Sequence, residues 1–164
     1  RLTLMQRARG ARGFTLVEIM VVMVIIGITL GMVSLNAIPS PRQNLQKEAQ
    51  RIALLLQLAR DEAIVRNRLI AFEADSESYR FLVRNEAAWE LVTKDDLLRE
   101  RPFKSAPVTL LLDPPAHGAA TNSNKLRITF GREPVDRPFV LTLGSGEDRV
   151  AIRADGVGHF VVEQ

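Results

Sequence analysis

Glu18 is the side chain of this 164-residue sequence whose chemistry most needs an explanation. It is the only charge between Phe14 and Leu35, a stretch otherwise apolar, small or hydroxylic. A carboxylate costs a few kcal/mol when such a stretch enters a bilayer. At the interface it would reach head-group water; deeper in, it needs a cationic partner. If the chain were cut between Gly13 and Phe14, the new amino group would sit four residues before Glu18 on the same helical face. A helix N-terminus also favours a carboxylate. The charge could then be neutralised within one chain or between adjacent chains of a bundle.

The other reactive side chains form no catalytic pattern. His117 and His159 are the only histidines and lack an H-x-x-x-H or H-E-x-x-H spacing, so no metal site is expected. They read as structural residues, His117 in a loop and His159 in a strand. The absence of cysteine removes disulfides and thiolate chemistry. Gly144-Ser145-Gly146 lacks the surroundings of a nucleophile elbow. Gly156-Val157-Gly158 lacks the strand–loop–helix context of a phosphate cradle. Glu147 and Asp148 are two acids where calcium takes about 6–8 oxygens, so they read as a solvated loop. Tyr79 and Trp89 stand alone in sequence and read as packing residues. No cofactor is expected, and a membrane-anchored enzyme is the weakest reading for want of a catalytic constellation.

Length and composition fit one modest domain with an appendage: 46% of residues are hydrophobic and 25% charged. The net charge of +3 is unevenly placed. Arg1, Arg7, Arg9 and Arg12 precede the apolar stretch with no acid among them, leaving 18 basic against 19 acidic side chains in the rest. Without a basic surplus there, a nucleic-acid partner is not expected. At about 1.5 Å per residue, Phe14–Leu35 spans roughly 33 Å, enough for the hydrocarbon layer. Leu35-Asn36-Ala37 is a poor secretory cleavage site, so the span reads as an anchor. Basic residues before it place the N-terminus in the cytoplasm.

Arg12-Gly13-Phe14-Thr15-Leu16-Val17-Glu18 followed by an apolar helix resembles the type III signal sequence of type IV pilins and type II secretion pseudopilins. The resemblance implies a basic leader (residues 1–13) removed by a prepilin peptidase after Gly13, with N-methylation of the new terminal Phe14. Glu18 becomes the fifth residue of the processed chain. In that family the glutamate of an incoming subunit attracts the terminal amine of the subunit already in place, so Glu18 is the expected subunit-assembly residue.

The rest of the chain fits the same plan. Pro39 and Pro41 interrupt the helix after a transmembrane segment of residues 14–38. Leu45, Ala49, Ile52, Leu56, Ala59 and Ala63 then draw one apolar stripe along an amphipathic helix over about 42–67. Glu48 with Arg51, and Glu62 with Arg66, are spaced to pair on its exposed faces. Eight short runs rich in β-branched and aromatic residues predict strands over Leu69–Ala74, Arg80–Arg84, Trp89–Thr93, Val108–Leu112, Leu126–Phe130, Phe139–Leu143, Val150–Arg153 and His159–Val162. Asp155-Gly156 signals a two-residue hairpin, Gly144–Asp148 a longer hairpin loop, and Asp113–Asn124 a surface loop.

The expected fold is α+β, with an N-terminal helix, half transmembrane and half amphipathic, packed on an antiparallel β-rich domain (residues 69–164). The segment Leu58–Asn67 and the closing strands resemble the H-type minor pseudopilins. The implied function is structural: a minor pseudopilin of the type II secretion system, assembling into the pseudopilus that drives export across the outer membrane. The implied partners are other major and minor pseudopilins, the prepilin peptidase, the inner-membrane assembly platform and inner-membrane lipid. The implied location is a single pass through a bacterial inner membrane, with residues 39–164 periplasmic. A minor pilin of a type IV pilus, including DNA-uptake forms, is the alternative, although Val161-Val162-Glu163-Gln164 offers no basic patch.

Overall fold

The computed structural model describes residues 13–36, 39–115 and 125–163. The basic leader up to Arg12, Ala37, His117 and most of the loop to Asn124 lie outside them. The chain divides into two compact units, Arg1–Pro39 and Ser40–Gln164.

In the first unit, helix α1 covers Leu16–Asn36. Its Ile- and Val-rich sequence is a modest helix former in water, but in a bilayer the helix is the one local structure that satisfies every backbone group. The polar Thr29 is satisfied internally: its hydroxyl donates to the Ile25 and Ile26 carbonyls, 2.9 Å each.

In the second unit, helix α2 covers Pro41–Val65. Ser40 is its N-cap, its side chain accepting from the Gln43 amide at 3.2 Å, and Pro41 occupies the first turn, where its missing N–H is not needed. Arg66 closes the helix, and Asn67 follows in the left-handed region (φ 52°). All six residues of the apolar stripe are buried. Glu62 and Arg66 form the expected pair. Glu48 does not pair with Arg51 on an exposed face: it is 4% exposed and accepts from the Lys104 backbone amide at 2.9 Å. Spacing along the helix could not show that a strand-side backbone donor competes for it.

Among the described residues nine strands follow: β1 Ile70–Ala74, β2 Ser78–Asn85, β3 Ala88–Leu91, β4 Arg101–Pro102, β5 Thr109–Asp113, β6 Leu126–Phe130, β7 Phe139–Ser145, β8 Asp148–Ala154 and β9 Phe160–Glu163. One sheet is ordered β3-β2-β1-β6, with β4 also on β2; the other is β5-β7-β8-β9. All pairs are antiparallel. α2 packs on strands of both sheets. In the first sheet Ile70, Phe72 and Ala74 align with Val83, Phe81 and Tyr79 on one side and with Phe130, Ile128 and Leu126 on the other, making the core face. In the second, Leu141, Leu143, Val150 and Ile152 are buried against the same core.

Two turn assignments are exchanged relative to the sequence reading. β7 and β8 pair through Ser145 and Asp148, leaving a two-residue loop, Gly146-Glu147, with Gly146 at φ 61°. The loop between β8 and β9 is the longer one, Asp155–His159. Asp155 Oδ1 accepts from the Val157 amide (2.9 Å) and the His159 amide (3.0 Å), which holds the chain open past the dipeptide. His159 therefore sits in this loop, one residue before the strand in which it was expected.

Candidate functional site

The N-terminal segment presents the residues singled out from sequence. Gly13, Phe14 and Thr15 precede α1, and Phe14 is 77% exposed. A Cβ added at Gly13 would meet nothing within 4 Å, and its backbone is not in the left-handed region, so the fold itself does not require glycine there. Thr15 caps α1: its Oγ1 accepts from the Glu18 amide at 3.3 Å and its carbonyl from the same amide at 3.1 Å. Glu18 is thus the acid of the first turn, where the helix dipole favours it. Thr15-Leu16-Val17-Glu18 has the S/T-x-x-E form of a capping box, a signal in the sequence that fixes where the helix begins. Every side chain from Leu16 to Ser34 is exposed in the chain, and this segment is long and apolar enough to cross a membrane. An unburied, nearly uniform apolar surface of this length needs lipid or other helices around it.

The globular unit holds its buried charges in fixed places. Glu73 of β1 is buried between its cross-strand neighbours Arg80 and Arg127. Arg80 donates to Oε1 from Nε (2.8 Å) and Nη2 (2.5 Å), and Arg127 to Oε2 from Nε (3.0 Å) and Nη2. Burial pushes the Glu73 carboxyl up, but the two guanidinium groups outweigh it and hold the carboxyl below its usual value. Arg127 and Arg84 also lie over the Trp89 ring, at 5.4 and 5.6 Å from its centre. Trp89 and Tyr79 are both packing residues: Tyr79 is fully buried, 5.2 Å ring to ring from Phe103.

Arg60 of α2 is 7% exposed and donates to the Pro134 carbonyl, with Asp136 nearby at 3.8 Å. Gly158 (φ 108°) lies against it, and a Cβ there would come within 2.7 Å of Arg60 Nη1. The arginine thus ties the helix to both the 131–138 segment and the β8–β9 loop.

His159 Nδ1 meets Asp155 Oδ2 at 2.6 Å on the surface. The Val157 amide, followed by the contacts of His159, holds the Asp155 carboxyl at about 2. Among the described residues no group of three or more His, Asp or Glu is placed to hold a metal ion. Glu147 and Asp148 are at the β7–β8 turn.

The family described as Type II transport protein GspH matches residues 48–158, from the buried glutamate of α2 to the glycine packed on Arg60. The chain belongs to the GspH family. The prokaryotic N-terminal methylation motif matches residues 8–34, which include Gly13, Phe14 and Glu18. Type II secretion system protein H of Pseudomonas aeruginosa is 35% identical over 143 residues, spanning 85% of this chain and 79% of that protein. The protein of the same description from Aeromonas hydrophila is 27% identical over 179 residues, spanning 95% and 94%. The solution structure of Escherichia coli GspH shares the fold at TM-score 0.51 and 18% identity, covering 74% of this chain and 90% of that one. The minor pseudopilin EpsH of Vibrio cholerae does so at TM-score 0.50 and 17% identity, covering 73% and 94%. This GspH-family chain is a minor pseudopilin of the type II secretion class, with an apolar N-terminal helix suited to membrane anchoring and a globular C-terminal unit.

Proposed function

We propose that a prepilin peptidase cuts the chain after Gly13 and methylates the amine of Phe14. On this reading Leu16–Asn36 spans the inner membrane with its N-terminus cytoplasmic, and Ser40–Gln164 folds in the periplasm. The subunit joins the pseudopilus through its helix, and the Glu18 carboxylate pairs with the terminal amine of a neighbouring pseudopilin. The assembly platform and the other pseudopilins are its partners, and its work is mechanical.

The observation that carries this reading is the Thr15-capped start of α1. It puts the acid in the first turn, four residues after Phe14, at the head of an exposed apolar span. The glycine that the fold does not need supports it, because a small residue before the scissile bond suits a tight protease subsite.

Intact-mass spectrometry after co-expression with a prepilin peptidase tests it. The expected product begins at N-methyl-Phe14, and Gly13→Val leaves the leader attached. Cleavage near Ala37, or an unprocessed parent chain, would refute it.

A further inference from the structure

One groove of the globular unit has walls of a single character. It has a volume of about 480 Å³ and lies between α2 and the segment leading into β4, with Lys47, Arg51, Leu54, Leu58, Leu97 and Arg101 among its lining. Leu54 is 68% and Leu97 55% exposed, so two large apolar side chains from separate elements face solvent together. No carboxylate lines the groove. Among the described residues, Lys47, Arg51 and Arg101 have no ion pair, and the Arg101 Nη2 is held at 2.8 Å by the Asp96 carbonyl. Of the loop acids beside it, Asp95 is turned to its own backbone, accepting from the Leu97 amide at 2.7 Å, and the exposed Asp96 and Glu100 flank Leu97 and Arg101 without lining the groove. A smaller adjoining recess adds Lys104, and its one acid, Glu48, is buried on the Lys104 amide.

Lys47, Arg51, Leu54 and Leu58 follow one face of α2 over about three turns, roughly 16 Å at 1.5 Å per residue. We infer that this groove docks an acidic amphipathic segment of a different pilin-like subunit, an inference that rests on the pseudopilin reading above. Apolar side chains of that segment cover Leu54 and Leu97, and its carboxylates meet Lys47, Arg51 and Arg101. Two-fold pairing of this chain through the same groove would set those cations against their own copies, so an isologous dimer does not form there.

The test uses the full-length chain in a secreting strain lacking its own copy, with a photo-crosslinking amino acid at position 97. The expected adduct is to another pseudopilin, mapped by mass spectrometry to an apolar residue with carboxylates within a helical turn. Lys47→Glu with Arg51→Glu should lower its yield at least about tenfold, whereas Lys47→Arg with Arg51→Lys should keep it. Leu54→Gln, at a solvent-facing position, should lower it as well, which separates docking from a folding defect of the charge variant. Adducts only to lipid, only within the chain or to a segment without carboxylates would overturn the inference, as would a yield unmoved by charge reversal. If the parent chain restores secretion and only these adduct results fail, the groove assignment alone falls. If the parent chain does not restore secretion, the pseudopilin reading falls and takes the inference with it.

Discussion

Replacing Glu73 by alanine should weaken the globular unit more than any exposed charge substitution. The carboxylate is 2% exposed and receives four hydrogen bonds from two guanidinium groups. Removing one partner of a fully buried ion pair costs about 3–5 kcal/mol. Here the stranded Arg80 and Arg127 side chains are 32% and 18% exposed and regain water, which lowers the expected cost to about 2–3 kcal/mol. For a domain of this size that is a fall in Tm of roughly 6–15 °C.

The assay is thermal and urea unfolding of a fragment from Pro39, followed by fluorescence. Trp89 is the only tryptophan and lies against Arg127, so its emission reports on this site. The Glu73 carboxyl titrates below its ordinary value of 4.5 in the folded state. Its contribution is therefore complete above that value and is lost as pH falls through the folded pKa. The gap between parent and Glu73→Ala should narrow on acidification from about pH 6 to pH 3. A Tm within about 2 °C of the parent, or a gap that does not change with pH, would refute the reasoning.

Two further outcomes concern how the unit is held together. A fragment from Pro39 should be a soluble folded monomer by size-exclusion chromatography; one starting at Arg42 loses the Ser40 cap and should be about 1 kcal/mol less stable in urea. A fragment from Leu69 lacks α2 and should aggregate, because ten residues of that helix are buried in the folded unit. Gly158→Ala should cost at least about 1–3 kcal/mol by the same assay, since it meets both a left-handed backbone and the Arg60 guanidinium.

The parts legible in the sequence are those written locally. The stripe from Leu45 to Ala63 specifies the buried face of α2, because 3.6-residue periodicity needs no knowledge of the partner. Leu126–Phe130 alternates and is a strand over those same residues. The N-terminal methylation motif that matches residues 8–34 is likewise a local pattern.

What escaped the reading depends on long-range placement. Arg80 and Arg127 are 7 and 54 residues from Glu73, and only the β2-β1-β6 register makes them neighbours. Glu48 finds its donor 56 residues away. Strand β4 is two residues long and contains Pro102, so no pattern marks it. Glycine content signals each of the two closing turns but not its length. That length was set by the Asp155 side chain in one turn and by cross-strand register in the other.

Entry of this subunit into a pseudopilus is proposed to depend on the carboxylate at the head of its membrane helix. The deciding measurement compares the parent and Glu18→Gln, each with a photo-crosslinking residue at position 17, for adducts to the N-terminus of a neighbouring pseudopilin, alongside secretion in a strain lacking the native subunit. In a poorly screened bilayer interior a carboxylate–amine pair is far stronger than at a wet surface. Glu18→Gln should still be cut after Gly13 but lose the crosslink and impair secretion. A Glu18→Gln protein that enters pseudopili and supports secretion as well as the parent would contradict it.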